Sequence, residues 1–228
     1  MQTVLTILEI IGVVSFSISG ALMAIDKEND FVGVIFLAII TSFGGGMLRD
    51  IFIGNTPPTV FTLYWLVIVS VLTATAVFVL AAIFKRQYVE HEHAVQMINN
   101  YFDAVGLGVF VISGAKICMD LGQDNPLLAN PLLIIIMGML SGTGGSMTRD
   151  IIMNEVPGLL RRYVYLLAAI AGAAAYYFLV TFGVREVFAM PIGALIIVVI
   201  RILATVFKWN VPKAIDFSKM SKEKESQD

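Results

Sequence analysis

Two short stretches hold the residue types that could do chemistry in this chain. Gly44-Gly45-Gly46-Met47-Leu48-Arg49-Asp50 sets three glycines and an adjacent arginine and aspartate inside an apolar segment, and Gly144-Gly145-Ser146-Met147-Thr148-Arg149-Asp150 repeats it at a constant offset of 100. Ile51 and Pro57 match Ile151 and Pro157 at the same offset. Each glycine in a helix costs about 1 kcal/mol against alanine, and an arginine near the middle of a bilayer costs at least about 2.5 kcal/mol. Costs borne twice at matching positions point to something built there. Glycines let a helix bend or unwind, and the backbone groups this frees are tolerated in a membrane only against protein or a water-filled cavity. The chemistry on offer is passage of an ion or small solute past exposed carbonyls and the Asp50 and Asp150 carboxylates. The competing account is close packing of the two glycine-bearing helices across a pseudo-twofold axis.

Charges elsewhere in apolar segments are few. Glu9 and Asp103 occupy matching positions in the two halves, and the expected ion pairs are Glu9 with Arg49 and Asp103 with Arg149, each flanked by Asp50 or Asp150. Such pairs either clamp the structure or line and gate a path. Lys116 has no charged counterpart, since its repeat equivalent is Leu22; it is a candidate gate or lipid-headgroup ligand, with snorkelling to the interface as the simpler account. Arg201 is close enough to a helix end to snorkel as well. His91 and His93, with Glu90 and Glu92, read as a solvated loop rather than a metal site.

The elements that must position these residues follow from composition. The 228 residues are 58% hydrophobic and 14% charged, and the mean hydropathy is +0.86. A soluble domain carries more charge, so the chain is an all-α integral membrane protein. Seven helices are expected at about 4–25, 31–53, 60–84, 101–121, 128–153, 162–182 and 187–208, with a disordered polar tail beyond. No Lys or Arg precedes the first, so it is not read as a cleavable signal. Phe16-Ser17-Ile18-Ser19-Gly20-Ala21 reads against Phe110-Val111-Ile112-Ser113-Gly114-Ala115 at an offset of 94, and an insertion around 122–131 carries that to 100. Three helices per copy force the second copy to enter the membrane from the opposite side. The expected organisation is therefore a three-helix repeat (1–85), a cytoplasmic linker (86–100), an inverted second repeat (101–183), a seventh helix (184–210) and a cytoplasmic tail (211–228). Lys27, Lys85, Arg86, Arg161, Arg162, Lys208, Lys213, Lys219, Lys222 and Lys224 fall on one side and Arg185 on the other. The positive-inside rule then puts the N-terminus outside and the C-terminus in the cytoplasm of a multi-pass inner-membrane protein.

GxSxG, HExxH and Walker patterns are absent, so neither an enzyme nor a cofactor is expected. The single Cys118 rules out an internal disulfide or a cysteine metal cluster, and nothing basic and polar offers a nucleic-acid face. Three helices, three inverted and one more, with glycine-rich kinks and GGGxxRD-like motifs, resemble the trimeric intracellular cation channel family in its bacterial and archaeal branch. The resemblance covers about residues 1–208 and departs at Ser146, where the first copy has Gly46. It implies a homotrimer in which each protomer carries a pore bounded by the second and fifth helices and passes monovalent cations such as potassium. Membrane lipid is a further implied partner, of which this chain matches only Arg49 and Arg149. Bacterial sequences of this type also go under a glycine-transporter name, so the alternative is a secondary transporter of a small solute such as glycine, working by alternating access. A third possibility is a structural membrane subunit with no path of its own.

Overall fold

The computed structural model describes residues 2–161 and 164–209. Arg162, Lys213, Lys219, Lys222, Lys224 and the tail expected over 211–228 lie outside the described residues. Ten helices are present among them: α1 Gln2–Asp26, α2 Phe31–Ile53, α3 Thr59–Thr62, α4 Tyr64–Ile83, α5 Lys85–Glu90, α6 Glu92–Gly122, α7 Pro131–Ile152, α8 Gly158–Arg161, α9 Tyr165–Thr181 and α10 Glu186–Val206. Six of these (α1, α2, α4, α6, α7 and α10) are long and apolar enough to cross a membrane, and α9 is a shorter apolar helix of 17 residues.

Three boundaries differ from the sequence expectation. Residues 92–100 belong to α6, which runs for 31 residues rather than starting near 101. They mix polar with apolar residues, so hydropathy passes over them, yet Glu, Ala, Gln and Met are good helix formers. The helix expected at 60–84 breaks at Leu63 (φ −104°, ψ 45°), leaving the one-turn α3 ahead of α4. The helix expected from 162 starts instead at Tyr165, because Val164 is left-handed at φ 49°.

The ends of α2 and α7 are built alike. Asp30 Oδ1 accepts the Gly33 N–H at 2.8 Å, and Asn130 Oδ1 accepts the Leu132 N–H at 2.9 Å, so each helix begins on a side-chain cap. Each ends in a left-handed residue, Gly54 at φ 71° and Asn154 at φ 55°, a conformation that glycine and asparagine tolerate best. The chain then turns into a short hairpin that leads to α3 or α8.

Packing follows the small residues. On α1, a methyl group at Gly20 would press on the Leu37 carbonyl and Ala38 Cα of α2, and one at Gly114 of α6 would overlap Ser141 of α7. Phe16 and Phe110 stack between α1 and α6 with ring centroids 5.3 Å apart. A larger apolar core joins α6, α7, α9 and α10 through Leu107, Ile112, Ile134, Tyr176, Met190 and Ile197. Outside it, α4 presents Tyr64, Ile68, Leu72, Val79, Leu80 and Ile83 as exposed apolar side chains, as a helix facing lipid or another protomer would.

Candidate functional site

The two glycine stretches meet at one place. A methyl group at Gly45 would overlap the Ser141 carbonyl oxygen, and one at Gly145 the Thr41 carbonyl oxygen. At Gly144 the same methyl would stand 2.9 Å from the Gly45 Cα, and at Gly44 3.3 Å from the Gly145 Cα. The glycines therefore allow the backbones of α2 and α7 to touch. Unwinding, the other use of glycine raised by the sequence, is not what they do here: both helices run unbroken through the motif. Gly46 is different, because only Arg49 Nη2, at 3.8 Å, lies near a methyl group placed there. Its counterpart Ser146 fills that position and shares a hydrogen bond of 3.2 Å with the Tyr165 hydroxyl.

Beside the crossing sit two matching clamps. Arg49 donates from Nε and Nη2 to Asp50 Oδ1 at 2.9 and 2.7 Å, and Arg149 donates to Asp150 Oδ1 at the same two distances. The other carboxylate oxygen is used too: Asp50 Oδ2 accepts the Thr59 N–H, and Asp150 Oδ2 the Gly158 N–H, both at 2.7 Å. Each aspartate thus neutralises its arginine and ties down the hairpin that follows the helix. Each arginine also reaches across the bundle, Arg49 Nη1 to Ser141 Oγ at 3.5 Å and Arg149 Nη1 to Ser19 Oγ at 3.2 Å. All four charged groups are buried, a setting in which only a well-paired charge is tolerable.

The expected cross-helix pairs are therefore corrected. Neighbouring residues on a helix do not face each other, which made Glu9 and Asp103 the natural partners to seek. The long arginine side chain instead folds back onto the adjacent carboxylate. Glu9 lines a cavity with Arg49 but forms no ion pair with it among the described residues. Asp103 faces Arg201, with Oδ2 3.6 Å from Nη2. Arg201 does not snorkel: it is 1% exposed, and its guanidinium lies over the Tyr165 ring at 4.3 Å. Nor does Lys116 reach for an interface. It is 4% exposed, and its Nζ donates to both Asp120 carboxylate oxygens, at 3.0 and 2.9 Å, and to Glu186 Oε2 at 2.7 Å, joining α6 to α10. With two carboxylates already on that ammonium, an anionic headgroup would have to displace them. His91 and His93 are exposed.

A cavity opens at each end of the bundle. One, of about 50 Å³, is lined by Glu9, Ser42, Gly46, Arg49, Asp50 and Ser113 among others. The other, of about 490 Å³, is lined by polar groups that include Asp26, Asn99, Asp150, Glu155 and Arg201. Each cavity thus touches one clamp. Lys27 and Glu155 pair at the rim of the larger one. Outside the spans, burial and then the Asp26 carboxylate, which accepts the Tyr88 hydroxyl at 2.7 Å, push the Tyr88 phenol above its ordinary range. Sequence reasoning missed Ser19 and Ser141 as arginine partners, and Thr59 and Gly158 as donors to the aspartates. The serines carried a signal, since polar residues at helical spacing in apolar segments need partners; the two backbone N–H groups carried none.

The arrangement offers carboxylates, hydroxyls and compensated arginines around a narrow contact between two cavities. Comparison with known proteins follows the same line. A family model described as a glycine transporter matches residues 6–82 and 100–181. A membrane protein of Deinococcus radiodurans in the group designated UPF0126 is 37% identical over 75% of this chain and 74% of its own, and the inner membrane protein YadS of Escherichia coli is 31% identical over 90% and 92%. Among solved structures, one described in a study of conductance through TRIC cation channels is 34% identical, with a TM-score of 0.78 over 92% of this chain and 97% of its own. The TRIC trimeric intracellular cation channel orthologue from Rhodobacter sphaeroides is 32% identical, with a TM-score of 0.79 over 90% and 99%. The chain belongs to this family of TRIC-type membrane proteins, the one whose sequence model is described as a glycine transporter.

Proposed function

We propose that the chain is a monovalent cation channel of the inner membrane, working on potassium, with one path per protomer past the crossing of α2 and α7. The observation that carries the reading is the paired layout, an Arg–Asp clamp and a cavity on each side of a close backbone contact that Gly45 and Gly145 permit. A compensated arginine leaves little net charge to repel a cation, while other oxygens lining the two cavities, those of Glu9, Ser42, Ser113 and Asp26, supply the weak sites that conduction needs. Likeness to cation channels supports the choice of ion, and the relatives' description as trimeric supports a homotrimer.

The matched contacts of Gly45 on Ser141 and of Gly145 on Thr41 fit two inverted three-helix repeats with α10 outside them. At 17 residues, α9 meets the lower limit of about 17–25 for a spanning helix, which supports its place as the sixth of seven spans, with α10 as the seventh. With Lys27, Lys85 and Arg86 toward one end of the bundle and Arg185 toward the other, the positive-inside rule supports an N-terminus outside and a larger cavity facing the cytoplasm.

The test is single-channel current from purified protein in a planar bilayer with asymmetric potassium chloride, beside Gly46→Leu. That leucine projects into the smaller cavity without entering the crossing. Discrete openings that reverse near the potassium potential, and are suppressed in the variant, are expected. A silent parent protein would turn the reading to glycine transport by alternating access, which the description of the matching family model favours. Labelled glycine uptake into liposomes then decides.

A further inference from the structure

The larger cavity has a feature that the clamps do not use. On its α6 wall Asn99 is 4% exposed, and its Oδ1 accepts no hydrogen bond among the described residues. One turn further along, Asp103 is 1% exposed and neither carboxylate oxygen accepts a hydrogen bond among the described residues. Residues four apart share a helix face, so three buried acceptor oxygens run inward from the cavity along one side of α6. Buried acceptors of this kind call for a donor or a cation.

Arg201 satisfies the charge of Asp103 only loosely. Its Nη2 stands 3.6 Å from Oδ2, against 2.7 Å in both clamps, and its guanidinium is also engaged by the Tyr165 ring. Asp150, at the same cavity, has Oδ1 committed to Arg149 and Oδ2 to the Gly158 N–H, so it is not a competing ligand. At the mouth, Asp26, Glu92 and Glu155 stand against Lys27, a balance that draws cations in.

We infer that Asn99, on the α6 wall of the larger cavity, and Asp103, one turn deeper on the same helix, form a weak inner-sphere site for a monovalent cation; this rests on the channel reading above. One carboxylate and one amide oxygen suit a monovalent ion. A divalent ion of the calcium type takes about 6–8 oxygen ligands, and Arg201 repels it twice as strongly as a single charge. The same guanidinium keeps the site weak, as an ion that must leave requires.

Thallium, a monovalent ion with strong anomalous scattering, is the probe. Crystals of the protein grown in a thallium salt should show an anomalous peak bonded to Asp103 and Asn99. Single-channel recording should show Asn99→Leu raising the half-saturating cation concentration on the order of tenfold, the scale of one lost contact to a charged group, while Asn99→Asp lowers it. Both variants leave Asp103 and Arg201 in place, and the opposite signs separate ligation from a packing defect. A channel that conducts with no peak there, or whose saturation ignores both variants, overturns the site and leaves the channel reading standing. A peak in a protein that never conducts keeps the site and overturns the channel reading.

Discussion

Asp50 and Asp150 each do two jobs with two oxygens, holding an arginine on Oδ1 and a hairpin N–H on Oδ2. Removing the charge leaves a buried guanidinium uncompensated, so Asp50→Asn is expected to cost about 3–5 kcal/mol, and Asp150→Asn a similar amount, read by thermal unfolding in detergent. A loss no larger than that of a surface substitution would mean that the clamps bear little load. The glycines separate in sign. Gly45→Ala puts a methyl group on the Ser141 carbonyl and should destabilise by about 1–3 kcal/mol, as overpacking does. Gly46→Ala meets only the tip of Arg49 and should stabilise the helix by up to about 1 kcal/mol. Equal effects at 45 and 46 would contradict the crossing. The repeated motif shows that these residues matter, but it does not distinguish Gly45 from Gly46, because that difference depends on which face of α2 meets α7.

Among the elements, the hairpins after α2 and α7 are anchored by side chains from the helices they leave. Thr59 opens α3 behind Pro58, and proline is accepted at a first helical position. Thr59→Pro therefore deletes the N–H given to Asp50, costing about 1.5–3 kcal/mol for a bond to a charged group, and with it the longer 3.4 Å bond that the Thr59 hydroxyl accepts from Asn55, which Thr59→Val removes alone as the control. Hydrogen exchange should quicken over residues 54–62 while the middle of α2 keeps its protection; unchanged exchange in the hairpin would show that the aspartate does not hold it. Six of the expected spans were legible because runs of apolar residues of membrane length admit few other readings. The nine residues of α6 before 101, the break at Leu63 and the left-handed Val164 were not, since each depends on local backbone choices that hydropathy does not report.

For the whole molecule, the exposed apolar face of α4 has to lie against lipid or another copy of the chain. A homotrimer predicts a protein mass of three times 24.9 kDa by light scattering once detergent is subtracted. A monomeric mass in every mild detergent would count against the trimer without touching the fold. The ends of the bundle carry different ion pairs, Lys116 with Asp120 and Glu186 at one and Lys27 with Glu155 at the other. The cavity at the Lys27 end is about 490 Å³, against about 50 Å³ for the one beside Glu9 and Arg49. The two halves are thus alike at their centre and unlike at their mouths.

By itself the sequence determined the class, six of the spans and the repetition of two glycine–arginine–aspartate motifs, because hydropathy and repetition are written along the chain. The tertiary structure decided who holds whom. Arg49 takes Asp50 rather than Glu9, and Asp103 takes Arg201 rather than Arg149. Those choices depend on distances between helices and on the reach of a flexible side chain, and neither is encoded in spacing along one strand of sequence.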